Sequence, residues 1–233
     1  MPFISILIPV YNGVEFLDEC LQSVVAQTFT DWEVLIGING HGVSGGDVAV
    51  VANRWSERDP RIRVYVQGPP LKGKVESLNH LLVLAKADWI AILDCDDKWT
   101  PTKLQRQVET IHGDARDADV IGTHCQIFGD RDTSPYLPSG YIDPAILEDY
   151  DPIINSSSLT RRKWCHWEYN ALNEYAIEDY YLWMEICLQG GRLYNVPERL
   201  TWHRVYATSA FNSRHISNAK LLEWYRGKRA TKM

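Results

Sequence analysis

The sequence predicts an α/β fold: a mostly parallel central sheet flanked by helices, in one domain. Three observations carry the prediction. Short β-branched apolar runs alternate with segments of helical period. Each intervening segment is long enough for the right-handed helical crossover that parallel strands require. At 233 residues, the chain can build one well-cored domain, or two intimate halves sharing a sheet, and no repeat or low-complexity linker divides it. The expected layout is a first half over about residues 1–125, a second over about 126–211, and a terminal helix and tail over 212–233.

Phe3–Ile8, Glu33–Ile38, Ile62–Val66 and Trp89–Leu93 read as buried strands. Between the first two, Leu17, Cys20, Leu21, Val24 and Val25 share one helical face, and Asn12 with Glu15 forms a capping box for that helix. A second helix begins near Lys74, with Val75, Leu78, Leu82 and Ala85 aligned. Trp99-Thr100-Pro101 opens a third, with proline near the first turn. Asp119–Cys125 is a further strand, and Gly129–Tyr150, rich in Asp, Pro, Ser and Tyr, reads as a long surface loop of the kind that carries binding function or disorder. From Glu178 a strong helix presents Tyr180, Trp183, Met184, Cys187 and Leu188 on one face and stops at Gly190-Gly191.

Composition excludes some functions. The net charge of −6 argues against a nucleic-acid binder, which is normally basic. Nine Trp and twelve Tyr provide core and platforms for flat ligands. Five scattered cysteines without metal-ligand spacing read as free thiols of a reducing compartment. With no signal peptide and no apolar run long enough to span a bilayer, a cytoplasmic location is expected, and the Asn155-Ser156-Ser157 sequon carries no meaning there.

The chemistry concentrates at Trp89–Asp97, where an apolar strand runs into Asp94, Asp96 and Asp97. Crowded carboxylates repel one another unless a cation or hydrogen-bond donors compensate them. All-oxygen ligands of this kind suit Mg²⁺ or Mn²⁺, completed by substrate phosphates. The competing reading is an acidic turn that ends the strand, with Asp94 or Asp96 capping the next turn. In a parallel sheet, ligands bind at the carboxyl ends of strands, where both this cluster and Asn12 lie. The first strand–helix turn, Ile8–Gly13, lacks the dinucleotide glycine fingerprint, and no Walker-type loop appears. The glycine-dense Gly40–Gly46 stretch reads as a flexible loop or a ligand cradle. Any bound phosphates would therefore need a metal on Asp94/Asp96/Asp97.

Four segments in order, Ser5–Asn12, Gln27–Glu33, Leu93–Asp97 and Ile177-Glu178-Asp179 followed by Leu182-Trp183, closely resemble the family 2 inverting glycosyltransferases of the GT-A fold. The resemblance covers roughly residues 3–210. It implies a GT-A type fold with a nucleotide-binding half, a nucleotide-diphosphate sugar donor, and a glycan, lipid-linked or protein acceptor. It places Pro9 and Tyr11 beside the base, with Asn12, Glu15 and Cys95 in the same nucleotide-sugar-binding set. Asp96 and Asp97 are the implied metal ligands, Asp94 holds ribose or the metal's outer shell, and Asp179, paired with Glu178, is the general base. Acidic residues in a first helical turn also complement the helix dipole, which is the plain alternative for Glu178 and Asp179.

The chain departs from the family pattern at three places. Asn39 stands where an Asp usually reads the base edge, and Asn both donates and accepts. Leu78 replaces a common basic residue, and Lys74 is the candidate substitute. Tyr206 occupies the position of a common metal-binding His; His203 lies three residues away and is not expected to be a ligand, whereas Arg204 is a candidate phosphate contact. The basic and apolar stretch Lys220–Lys232 reads as a packed terminal helix with a solvated tail, or as a peripheral membrane contact. Two rivals stay open: an inactive nucleotide-sugar-binding module of the same fold, and a sugar nucleotidyltransferase, which would want a Gly- and Lys-rich loop after the first strand.

Overall fold

A computed structural model of the chain describes residues 1–40, 45–68, 73–168, 177–207 and 218–232. The first half alternates β1 (Ile4–Val10), α1 (Val14–Val25), β2 (Trp32–Asn39), α2 (Gly46–Arg58), β3 (Ile62–Gln67), α3 (Lys74–Leu84) and β4 (Trp89–Ile92). The second contains β5 (Lys98–Trp99), α4 (Lys103–His112), β6 (Val120–Gly129), β7 (Gly140–Tyr141), β8 (Leu159–Arg161), α5 (Glu178–Leu188), β9 (Leu193–Val205) and α6 (Ala219–Ala230), with 3₁₀ turns at Pro144–Glu148, Asn155–Ser157 and Arg162–Trp164.

The described strands form one sheet in the order β3-β2-β1-β4-β8-β6-β9-β5, with β7 also on β9. Strands β1 to β4 are parallel, β6 runs parallel to β9, and the joins through β8, β5 and β7 are antiparallel. Every residue of β1 and β2 is buried, as expected of strands covered on both faces. Alternation along β1 divides the core. Ile4, Ile6, Ile8 and Val10 pack toward α1, α2 and α4, whereas Leu7 faces α3, α5 and α6. Each such aliphatic side chain contributes about 1.5–3 kcal/mol by burial.

The α/β architecture agrees with the sequence reading, and the departures from it have local causes. Helix α1 is not opened by a capping box. Gly13 is its N-cap at φ 85°, with no side-chain cap, so Asn12 and Glu15 remain exposed. Val25 is 39% exposed and stands off the α1 stripe. Helix α2 was not anticipated, because its buried stripe is short: Val48, Ala49 and Ala52. Positions 41–44 of the glycine-dense stretch lie outside the described residues. Gly129–Tyr150 is more than a surface loop: it holds β7 and a 3₁₀ turn, and it buries Leu137, Ile142 and Leu147. These apolar residues follow neither period 2 nor period 3.6. In α6, Leu221 and Tyr225 pack inward, as expected of a packed terminal helix. No helix among the described residues is long and apolar enough to cross a membrane.

Candidate active site

The carboxyl ends of β1, β2 and β4 converge on the start of α5. Gly73 precedes α3, and its carbonyl accepts from Asn39 Nδ2 at 2.8 Å. Asn39, at the end of β2, is thus spent on fixing the chain that presents Lys74. The Lys74 ammonium lies 2.8 Å from Asp94 Oδ1 and 3.1 Å from Glu178 Oε1. One side chain therefore joins two acidic motifs 84 residues apart in sequence, counted from Asp94 to Glu178. Burial disfavours the Lys74 charge, but Asp94, Glu178 and Asp179 outweigh it and hold the amine well above its usual range. Burial likewise opposes ionisation of Asp94, yet Lys74 and the Asn155 amide keep its carboxyl below the ordinary value.

The three carboxylates after β4 have different surroundings. The backbone N–H of Asp94 donates to Ser156 Oγ at 3.1 Å, and Asp94 Oδ2 accepts from Asn155 Nδ2 at 3.3 Å. Asp96 is half-buried, and burial together with Asp97 and Asp94 pushes its carboxyl up to about 7. The Tyr206 hydroxyl is hydrogen-bonded to it, so the residue at the common His position still reaches this carboxylate. Asp97 is 1% exposed; it accepts from the Arg204 backbone N–H at 2.7 Å and lies 3.0 Å from His203 Nδ1. Burial opposes protonation of His203, but Asp97 overrides it and raises the imidazole to about 9.

The expected site residues have these partners. Asp97 is buried, with Oδ1 accepting from the Arg204 backbone N–H and Oδ2 beside His203. Arg204 turns toward the acidic loop. Its guanidinium lies between Phe16 and Phe128, pairs with Glu19, and donates from Nε to the Asp96 carbonyl at 2.9 Å. Pro9 is buried within β1, in register with Gly37. Tyr11 is 59% exposed, with its ring against Gly40 so closely that a Cβ there would meet it at 2.4 Å. Cys95 is buried and donates to the Asn12 carbonyl at 3.1 Å, tying the β1–α1 turn to the acidic loop.

A divalent cation fits at Asp96 on charge grounds. Lys74 balances Asp94 and His203 balances Asp97, which leaves Asp96 in surplus negative potential. Among the described residues, no group of three or more His, Cys, Asp or Glu is arranged as a metal cage. A divalent cation there would be completed by water and phosphate.

Glu178 and Asp179 begin α5, with Glu178 buried and Asp179 half-buried. Burial and the Glu178 charge lift the Asp179 carboxyl to about 7, against the pull of Lys74. Several neighbours escaped the sequence reading. Asn155 and Ser156 contact Asp94, and Asp151 stands near enough to Asp179 and Glu178 for their charges to raise its carboxyl. The available signal was the polar run Asn155–Ser158, which is buried throughout. Beneath the loop, Trp99 Nε1 donates to the Ser156 carbonyl at 2.7 Å. Lys103, fully buried, lies 3.9 Å from the Trp99 ring centre and donates to Gln107 Oε1 at 2.9 Å, and Gln107 Nε2 donates to the Ile121 and Ser157 carbonyls.

Comparison with known proteins bears on the family and the fold. The glycosyl transferase family 2 profile matches residues 5–139. An uncharacterized glycosyltransferase of Haemophilus influenzae is 26% identical over 226 residues, covering 94% of this chain and 82% of that protein. The fold matches S. aureus TarS in complex with UDP-GlcNAc at a TM-score of 0.74 and 15% identity, over 98% of this chain and 66% of that one. It also matches the mannosyltransferase PcManGT of Pyrobaculum calidifontis, in complex with GDP-Man and Mn²⁺, at a TM-score of 0.64 and 16% identity, over 98% of this chain and 61% of that one. Both solved structures share the GT-A fold that the resemblance implies. The chain spans about half the length, 47%, of other curated relatives from Bacillus subtilis and Nostoc.

Proposed function

We propose, because the chain belongs to glycosyl transferase family 2, that it is a single glycosyltransferase domain. In this reading it moves a sugar from a nucleotide-diphosphate sugar to an acceptor hydroxyl with inversion at the anomeric carbon. The observation that carries the reading is the Lys74 bridge, which brings the strand-end carboxylates and the Glu178-Asp179 pair into one site.

Asp179 is the general base. As the acceptor oxygen attacks the anomeric carbon, its proton passes to the Asp179 carboxylate, and the bond from that carbon to the diphosphate oxygen breaks. One displacement at one face inverts the centre. A carboxyl poised near neutrality is matched to that transfer. Lys74 screens Glu178 and Asp94 so that Asp179 can ionise beside them. A divalent cation at Asp96 would supply charge neutralisation to the leaving diphosphate. Tyr11 offers an exposed ring for the base. The two nucleotides bound by the neighbouring structures, one uridine and one guanosine, give the donors to test first.

The experiment is incubation with UDP- and GDP-sugars in Mn²⁺ or EDTA, reading released nucleotide diphosphate. Metal-dependent release that Asp179→Asn lowers by about 10²–10⁴-fold supports the reading. Pyrophosphate release from a nucleoside triphosphate and a sugar phosphate would replace it with nucleotidyl transfer.

A further inference from the structure

The segment from Leu147 to Ser156 passes along the site and is pinned at both ends. Tyr180, adjacent to Asp179, donates its hydroxyl to the Leu147 carbonyl at 2.8 Å, and Asn155 and Ser156 hold Asp94. Between these anchors, Asn195 Nδ2 donates to the Pro152 carbonyl at 2.8 Å, and Asp151 Oδ1 accepts from the Ile153 N–H at 3.0 Å. Asp151 lies within the electrostatic reach of Glu178, Asp179 and Tyr180 at the start of α5. Asn155 is 8% exposed, and while its amide donates to Asp94, its carbonyl oxygen is buried without a partner. A buried acceptor left unpaired costs about 1–3 kcal/mol, so such a group marks a place where a donor belongs.

We infer that Asp151 and Asn155 form a hydroxyl-recognising wall for the transferred sugar ring. The inference rests on the proposed reaction. The anomeric carbon must lie between the diphosphate, on the Asp96 side, and the base Asp179, so the ring would lie by Lys74, which joins Asp94 to Glu178, with Asn155 on Asp94 and Asp151 in the electrostatic reach of Glu178 and Asp179. These neighbours are all polar and suit a polyhydroxylated ring rather than an apolar one. Burial and the Asp179 and Glu178 charges favour the protonated form of Asp151. Lys74 also faces this cluster, but it is held by Asp94 and Glu178. Asp151 is thus suited to donate to a sugar hydroxyl, and Asn155 Oδ1 to accept from one. Both are specificity-determining residues and do not handle the acceptor's proton.

The test compares affinity for an intact nucleotide sugar, UDP-GlcNAc or GDP-mannose, with that for UDP or GDP in the same Mn²⁺ buffer by calorimetry. Asp151→Ala is expected to weaken the nucleotide sugar at least tenfold and the free diphosphate less than twofold. Asp151→Asn, which keeps a donor, is expected to recover within threefold. Asn155→Ala should show the same selective loss. Equal weakening of both ligands, no weakening, or an Asn variant as impaired as the Ala variant would overturn the wall. Unchanged diphosphate binding certifies that each variant is folded. Donor hydrolysis by Asp179→Asn separates the two levels. If that variant still releases nucleotide, the catalytic reading fails. If it is inactive but Asp151→Ala binds normally, only this inference fails.

Discussion

His203 and Asp97 meet at 3.0 Å at the end of β9, and the Asp97 carboxylate in that pair has no exposed side-chain surface. This contact gives the third carboxylate of the acidic loop two protein partners, whereas Asp96 keeps part of its surface exposed. The imidazole, raised to about 9, carries its proton at neutral pH. Its folded value lies above the unfolded one, so its stabilisation is full below about pH 6.5 and is lost as pH rises through about 9. Replacing His203 by Ala leaves Asp97 with the Arg204 N–H alone, and a loss of about 3 kcal/mol is expected in urea denaturation at pH 7. A wild-type loss of stability between pH 6 and 9 should be absent from the variant.

Removal of Lys74 should separate fold from function. Lys74→Met leaves Asp94 and Glu178 as uncompensated like charges. The Lys74 side chain is 31% exposed, so the expected stability loss is reduced to about 1–2 kcal/mol. Nucleotide release should fall at least 100-fold, and the acid limb of the rate profile should move upward in pH, because the cation that helps Asp179 ionise is gone. Steady-state kinetics from pH 5 to 9 read both effects.

For the wild type, activity and stability should run in opposite directions below neutrality. Asp179 must be ionised to accept a proton, so the rate is expected to rise with pH and level off above about 7. The same raised carboxyl binds its proton more tightly in the folded than in the unfolded chain. Its contribution to stability is therefore present below about pH 4 and is lost as pH climbs to about 7. Asp179→Asn should abolish the rate limb and flatten this part of the stability curve.

With one outward carboxylate available, Mn²⁺ should bind weakly to the protein alone and at least tenfold more tightly once UDP or GDP supplies phosphate oxygens. Calorimetric titration of metal with and without nucleotide measures this. Asp96→Asn is expected to remove the nucleotide-dependent gain. Asp97→Asn is expected to lower the melting temperature before it changes metal affinity. Tight metal binding by the protein alone would refute the one-carboxylate arrangement.

The sequence was most legible where local period and tertiary environment agree. The buried strands Ile4–Val10 and Trp32–Asn39 read directly from continuous apolar runs, and α5 from its stripe and its Gly-Gly stop. The acidic loop and the Glu178-Asp179 pair were visible as charge at element ends. Their partners were not. Asp97 and Asp96 are adjacent and chemically identical, and what distinguishes them comes from His203 and Arg204, 106 and 107 residues away. Asn155 stood out only as a sequon without meaning, because burial of a polar run cannot be read without knowing what covers it. Asp151 lay in a stretch without periodicity, so nothing local marked it. The helix Gly46–Arg58 was missed because two alanines and a valine make too faint a stripe.

The floor beneath the acidic loop has one more consequence. Lys103 is sealed against Trp99 and Gln107, and burial holds its amine well below the usual lysine range. An amine-reactive reagent reaches surface lysines such as Lys163, whose side chain is 63% exposed, from solution at once. It meets Lys103 only in molecules whose floor has opened. Mass-spectrometric labelling of Lys103 over time is therefore a clock for that opening, and ligands that hold the loop shut should slow it.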